Sequence, residues 1–255
     1  MPYAELDGLR LYYERAGSGE PEPLFVPGWC CDRTAFRPQF EHFAQAHAVT
    51  ALDLRGCGES DRPEGGYTIP DFADDVARFC SHVGIDKPVV AGHSLGGMIP
   101  VELAARHPSV PAALVLVDPG PIDPLPETVE FFRSFVEELE GPNGEEVRRL
   151  YVQDMGALDE ELAQWIADLM CSVPLPIAAA VIHGVNAWHG VDALAHCNVP
   201  TLMLRSTLDP SPDAVRLRAI KPDLQVGITV GAGHFHQLEV PEQVNSMIER
   251  FLLLM

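Results

Sequence analysis

The chain has 255 residues, 47% of them hydrophobic and 21% charged, a size at which a single α/β domain with a large buried core is common. Its 17 Lys and Arg stand against 37 Asp and Glu, a formal net charge of −20. A surface that acidic repels phosphate backbones, which argues against nucleic acid as a partner and discourages polyanionic substrates. No apolar run reaches the ~18 residues needed to span a bilayer. The opening MPYAELDGLRLYY also lacks the basic start and apolar stretch of a secretory signal, so the expected setting is cytoplasmic, with no membrane partner. Cys30, Cys31, Cys57, Cys80, Cys171 and Cys197 form no C-x-x-C pair and no zinc spacing with His. They read as scattered reduced thiols, and no metal is expected.

In chain order, short apolar runs alternate with helical periodicity, the signature of a mostly parallel sheet covered on both faces. Leu9 to Tyr13 is an early strand, Leu24 to Val26 a short buried one ended by Pro27-Gly28, and Val49 to Leu54 another. Between them Phe36, Phe40 and Phe43 fall at helical spacing. Phe72, Val76, Phe79 and Val83 share one stripe of a helix over 69–83, with acidic residues in its first turn. A strand at Pro88–Ala91, a helix from Met98 to Arg106 and a strand from Ala112 to Val117 follow. Residues 122–195 then break the alternation with helical stretches alone. The later strands are Thr201–Leu204 and Gln225–Val230, and an amphipathic helix from Val240 to Leu254 closes the chain. The expected organisation is a core of 1–121 and 196–255 with a helical lid of 122–195, placed where α/β proteins bind ligands.

The strongest chemical signal is Gly92-His93-Ser94-Leu95-Gly96-Gly97, which follows an apolar strand and opens a helix. A sharp strand-to-helix turn lifts the Ser94 hydroxyl clear of the backbone, and flanking glycines make room for it. The helix N-terminus points its amides at the same spot, where an oxyanion would develop. A serine hydroxyl needs a base. His234, in a loop after the last strand, is the first candidate and His236 the second. The base needs an orienting carboxylate. Asp209, after the strand at 201–204, is the first candidate, and Asp118, after the strand at 112–117, competes with it.

Together these segments resemble the α/β-hydrolase superfamily over essentially the whole chain: PGW at 27–29, DLRGCGESDRP at 53–63, GHSLGG at 92–97, LVLVDP at 114–119, Asp209-Pro210 and GAGHFHQLEVPEQ at 231–243. The resemblance implies a mostly parallel twisted sheet with helices on both faces and a helical lid. It also implies a Ser94 nucleophile, Asp209 acid and His234 base, with an oxyanion hole from the amides of Trp29 and Leu95 and no cofactor. Members commonly carry His-Gly where this chain has Pro27-Gly28. The stretch from Pro27 to Arg33 also resembles cofactor-free dioxygenases on the same fold. A Ser at 94 speaks against haloalkane dehalogenases and epoxide hydrolases, which use a carboxylate there.

Among apolar side chains able to line a pocket between core and lid, Met98, Phe132, Trp165 and Trp188 are the expected substrate contacts, with Met155 and Met170 beside them. Arg148-Arg149 read as a solvated face. The expected activity is hydrolysis of esters of small, largely apolar acids, with a small-molecule substrate as the expected partner. Carbon–carbon bond hydrolysis and cofactor-free oxygenation are the alternatives on the same fold, and a small-molecule receptor with a slow triad is the alternative of another class. Neither the exact substrate nor the oligomeric state is legible.

Overall fold

A computed structural model describes residues 3–155, 158–207 and 213–255 of the chain. A hairpin opens it: β1 (Tyr3–Leu6), which periodicity had not marked, pairs with β2 (Leu9–Ala16) across Asp7-Gly8. Both turn residues have positive φ, 51° and 91°, the backbone that matches strand twist in a two-residue hairpin. Next come β3 (Pro23–Val26), α1 (Arg37–Phe43), β4 (Val49–Leu52), α2 (Ile69–Val83), β5 (Val89–His93), α3 (Leu95–Arg106) and β6 (Ala113–Val117). Among the described residues, five helices then separate β6 from β7: α4 (Pro126–Leu139), α5 (Gly144–Asp154), α6 (Glu160–Cys171), α7 (Leu175–Asn186) and α8 (Gly190–Ala195). The chain closes with β7 (Thr201–Ser206), α9 (Asp213–Ile220), β8 (Gln225–Thr229), α10 (His236–Glu239) and α11 (Pro241–Leu252).

The strands form one eight-stranded sheet in the order β1-β2-β4-β3-β5-β6-β7-β8, antiparallel at its first two pairings and parallel from there on. This is the α/β-hydrolase fold. Alternation along each central strand explains why both faces are covered. Leu24, Val90, Leu114, Leu116 and Met203 join one apolar cluster, with Phe72, Val76 and Phe79 of α2 and Ile99 and Leu103 of α3. Phe25, Ala91, Val115, Val117 and Leu204 point the other way, against Phe40 and Phe43 of α1 and Ile248 and Phe251 of α11. Successive side chains leave opposite faces of a strand, so a strand buried on both sides must be apolar at every position. The edge strand β8 is more open, and Ile228 on it is exposed.

The helix α2 shows how local sequence sets an element's limits. Thr68 Oγ1 accepts from the Asp71 amide while the Asp71 carboxylate accepts from the Thr68 amide, and Gly84 ends the helix with φ 73°. No single helix among the described residues is long and apolar enough to cross a membrane. Of the two arginines expected at a solvated face, Arg148 is instead buried inside the helical insertion. It donates from Nη1 to Val173 O and from Nη2 to Cys171 O and to Glu145. An interior guanidinium is tolerated because those acceptors replace its water.

Phe72 is 1% exposed and sits at the joint of α2 with the sheet. Phe72→Ala is expected to cost about 3–5 kcal/mol, read from the midpoint of urea unfolding, whereas the same change at the half-exposed Phe131 stays near 1 kcal/mol or below.

Candidate active site

Three strand ends converge at one edge of the sheet. β5 ends at His93, and Ser94 follows with φ 55° and ψ −118°, a conformation that costs a non-glycine residue about 1–3 kcal/mol. The turn is held by its neighbours: Ser94 N donates to Val117 O at 3.0 Å, and Gly97 N and Gly120 N both donate to Ser94 O at 2.9 Å. Gly92 and Gly96 are required because a Cβ on either would strike backbone, the carbonyl of Gly96 in the first case and those of Val26 and Pro27 in the second. Gly28 lies against the same turn, where a Cβ would meet His93 Nδ1 at 3.0 Å and Ser94 Cβ at 3.2 Å. Trp29 and Leu95 therefore flank Ser94 from two directions.

β6 ends at Val117, and Asp118 follows, also left-handed at φ 40°, with its amide donating to Leu204 O at 2.8 Å. Its carboxylate is fully buried and used at both oxygens: Oδ2 accepts from His234 Nδ1 at 2.8 Å, and Oδ1 from Arg205 Nη1 at 2.9 Å. Asp118, the second candidate carboxylate, is thus the described one bonded to His234 Nδ1. The physical reason is register. Val117 pairs with Leu204, so the residue after β6 emerges between Ser94 and the loop after β8. Asp209 itself lies outside the described residues.

His234 is supported from below. His93 Nε2–H donates to the His234 carbonyl at 2.9 Å, and the two rings lie 4.7 Å apart. A carbonyl only accepts, so His93 carries its proton on Nε2, and Nδ1 stays buried with no partner among the described residues. Burial holds the His93 imidazole well below the usual histidine range, so it stays neutral. The Gly233 amide donates to Glu239 Oε1 at 2.9 Å, fixing the other side of the loop. His236, the second candidate base, turns inward: it is fully buried, its Nδ1 pairs with Thr229 Oγ1 at 2.9 Å, and burial pushes it down to about 4.

Ser94 and His234 line one cavity between the sheet edge and the helical insertion. Of the expected contacts, Trp29, Leu95, Met98 and Phe132 line it, as do Met155 and Met170. Trp165 does not; it stands 40% exposed on α6. Trp188 does not either; its Nε1–H donates to Glu102 Oε2 at 2.8 Å, a tie between the insertion and α3. Sequence reasoning passed over Tyr151, Ile182, Val185 and His93. Val147, Tyr151 and Met155 recur every four residues, a stripe that pointed to Tyr151. No such signal marked His93, the buried last residue of β5.

Trp29 joins core to insertion: its Nε1–H donates to Ala178 O at 3.0 Å, and its ring meets Phe135 and Tyr151 edge-on. Cys31 also lines the cavity, but burial pushes its thiol well above the ordinary value, which suppresses the thiolate needed for attack.

The buried histidines make stability depend on acid. The unfolded chain binds a proton at 236 near pH 6.5 and the folded one only near about 4. Stability is therefore complete above pH 6.5 and falls as pH drops toward 4, by up to ~3 kcal/mol from this residue. The expected result is a smaller loss for His236→Gln than for the parent over that window, measured by urea unfolding at pH 7 and pH 4.5; equal losses would contradict it.

A model of the alpha/beta hydrolase family matches residues 24–247. The chain is 29% identical to a putative carbamate hydrolase, RutD, of Azorhizobium caulinodans, over 98% of each chain. It is 28% identical to a thermophilic esterase from Thermogutta terrifontis, which superposes with a TM-score of 0.85 over 98% of this chain and 96% of that one. The enol-lactonase of Burkholderia xenovorans, 21% identical, shares the fold at a TM-score of 0.86 over 99% of this chain and all of its own. Family match, sheet order and strand-end site agree: the chain belongs to the alpha/beta hydrolase family, and it is a hydrolase.

Proposed function

We propose that this hydrolase is a carboxylesterase-type serine enzyme, cleaving esters of small, largely apolar acids through an acyl-enzyme on Ser94. One observation carries the reading. A hydroxyl on a strained strand-to-helix turn and an imidazole whose Nδ1 is engaged by a buried carboxylate share the wall of one mostly apolar cavity. With its proton on Nδ1, His234 presents a bare Nε2 as the base.

In this mechanism His234 Nε2 takes the Ser94 proton as Oγ bonds to the ester carbonyl carbon. The carbonyl oxygen becomes an oxyanion held by the amides of Trp29 and Leu95, each worth roughly 3–4 kcal/mol of barrier. His234 then gives the proton to the departing alcohol oxygen as the C–O bond breaks. A water, deprotonated by the same nitrogen, attacks the acyl carbon, and the proton passes to Ser94 Oγ as its bond to that carbon breaks and the acid leaves. Asp118 holds the imidazole's tautomer and stabilises its charged form. No step needs a metal or organic cofactor. The helices α4–α8 act as the lid that shapes the acyl pocket. Met98, Phe132, Met155 and Met170 bring no charge to it, which supports a neutral apolar acyl group. The esterase likeness at 28% identity supports the same bond type.

Hydrolysis of p-nitrophenyl acetate and butyrate tests the assignment. Ser94→Ala is expected to lose turnover, and Asp118→Asn to lower kcat by about 10⁴-fold through the wrong tautomer. Asp209→Asn is expected to keep most of the activity. Turnover retained without the serine hydroxyl, or a loss confined to the Asp209 variant, contradicts the reading. Oxygen uptake in place of ester cleavage would point to the oxygenase chemistry instead.

A further inference from the structure

We infer that Arg205, acting through Asp118, is a positioning residue that sets both the orientation and the charge balance of the His234 base. The inference rests on the reading of Ser94, His234 and Asp118 as the catalytic set. Arg205 occupies a buried position of β7, a strand otherwise filled by apolar side chains and small hydroxyls. A cation there must be paired to be tolerated. Among its partners is the site's own carboxylate: Nη1–H donates to Asp118 Oδ1 at 2.9 Å and to Pro119 O at 3.3 Å.

Two consequences follow from that geometry. Arg205 occupies one carboxylate oxygen while His234 takes the other, so the carboxylate plane cannot rotate without breaking a charge-assisted bond. The guanidinium also cancels part of the negative charge that would otherwise stabilise the imidazolium. The other titratable groups around the imidazole do not provide this. His93 on β5 and His236 on α10 are buried and held neutral. Glu239 on α10 bonds the Gly233 amide and, through its other oxygen, the Leu158 amide at 3.1 Å. Of the described charged groups, Arg205 is the one bonded directly to the carboxylate that His234 uses.

The test is the pH profile of kcat/KM for p-nitrophenyl butyrate. In Arg205→Met the acid limb should move up by roughly half a unit to one unit, as removal of a nearby cation makes the imidazole more basic. kcat should fall several-fold with KM nearly constant, since the ground-state pocket is untouched. Arg205→Lys restores the charge but not the planar fork. It should return the acid limb to its parent position while kcat stays reduced. A purely structural role would lower the urea midpoint and leave the limb where it was. A folded methionine variant with an unmoved limb, or one moved downward, overturns the inference. Should the methionine variant not fold, the lysine variant decides alone: a displaced limb despite the retained charge overturns it. Ser94→Ala separates the two levels. If that variant still turns over, the reading of the site fails; if it is inactive and the limb is unmoved, only the role of Arg205 fails.

Discussion

The 2.8 Å bond between His234 Nδ1 and Asp118 Oδ2 is the contact on which the rest of the site depends. It joins the loop after β8 to the end of β6 and settles which imidazole nitrogen carries the proton. The neighbouring features support that bond. Asp118 sits at φ 40° because its amide must reach Leu204 O, and its second oxygen is held by Arg205. His93 steadies the backbone of His234 from beneath, and Glu239 steadies Gly233 beside it. Each strained or buried polar residue in this region costs free energy, and such costs gather where geometry must be exact for chemistry.

The sheet supplies the rigidity that those contacts need. Central strands buried on both faces leave little freedom at their C-terminal ends, so Ser94, Asp118 and the loop carrying His234 are placed by strand register rather than by loop preference. The insertion between β6 and β7 is tied to that edge by directional bonds, among them Trp29 to Ala178 and Trp188 to Glu102. A rigid edge for the proposed chemistry and a separately built helical wall for the proposed substrate allow one fold to serve many substrates.

Much of this was legible before any coordinates. Apolar runs without alternation marked β3, β5 and β6, and the glycines around Ser94 marked the turn between β5 and α3, since only that backbone demands them. β1 was missed because its four residues mix Glu5 with small and apolar side chains and depend on pairing with β2. The carboxylate was the hardest element to place. Asp118 and Asp209 both follow strands that open at the same edge, and periodicity carries no information on which loop returns toward His234. The approach of Asp118 to His234 depends on how β6 sits beside β7 and β8 in the sheet, a non-local property. Trp165 and Trp188 were overvalued for a similar reason: size and apolarity suggest a pocket, but an indole N–H also finds acceptors at element junctions, as Trp188 does.

The central claim is that hydroxyl, imidazole and the Asp118 carboxylate act as one unit beside two backbone donors. A crystal structure of the protein after reaction with an alkyl p-nitrophenyl phosphonate tests it most directly. The account predicts phosphorus bonded to Ser94 Oγ and a phosphoryl oxygen roughly 2.7–3.1 Å from the amides of Trp29 and Leu95. His234 should lie between the adduct and Asp118. An adduct on another residue, or an unmodified Ser94 with the imidazole turned to a different carboxylate, would contradict it.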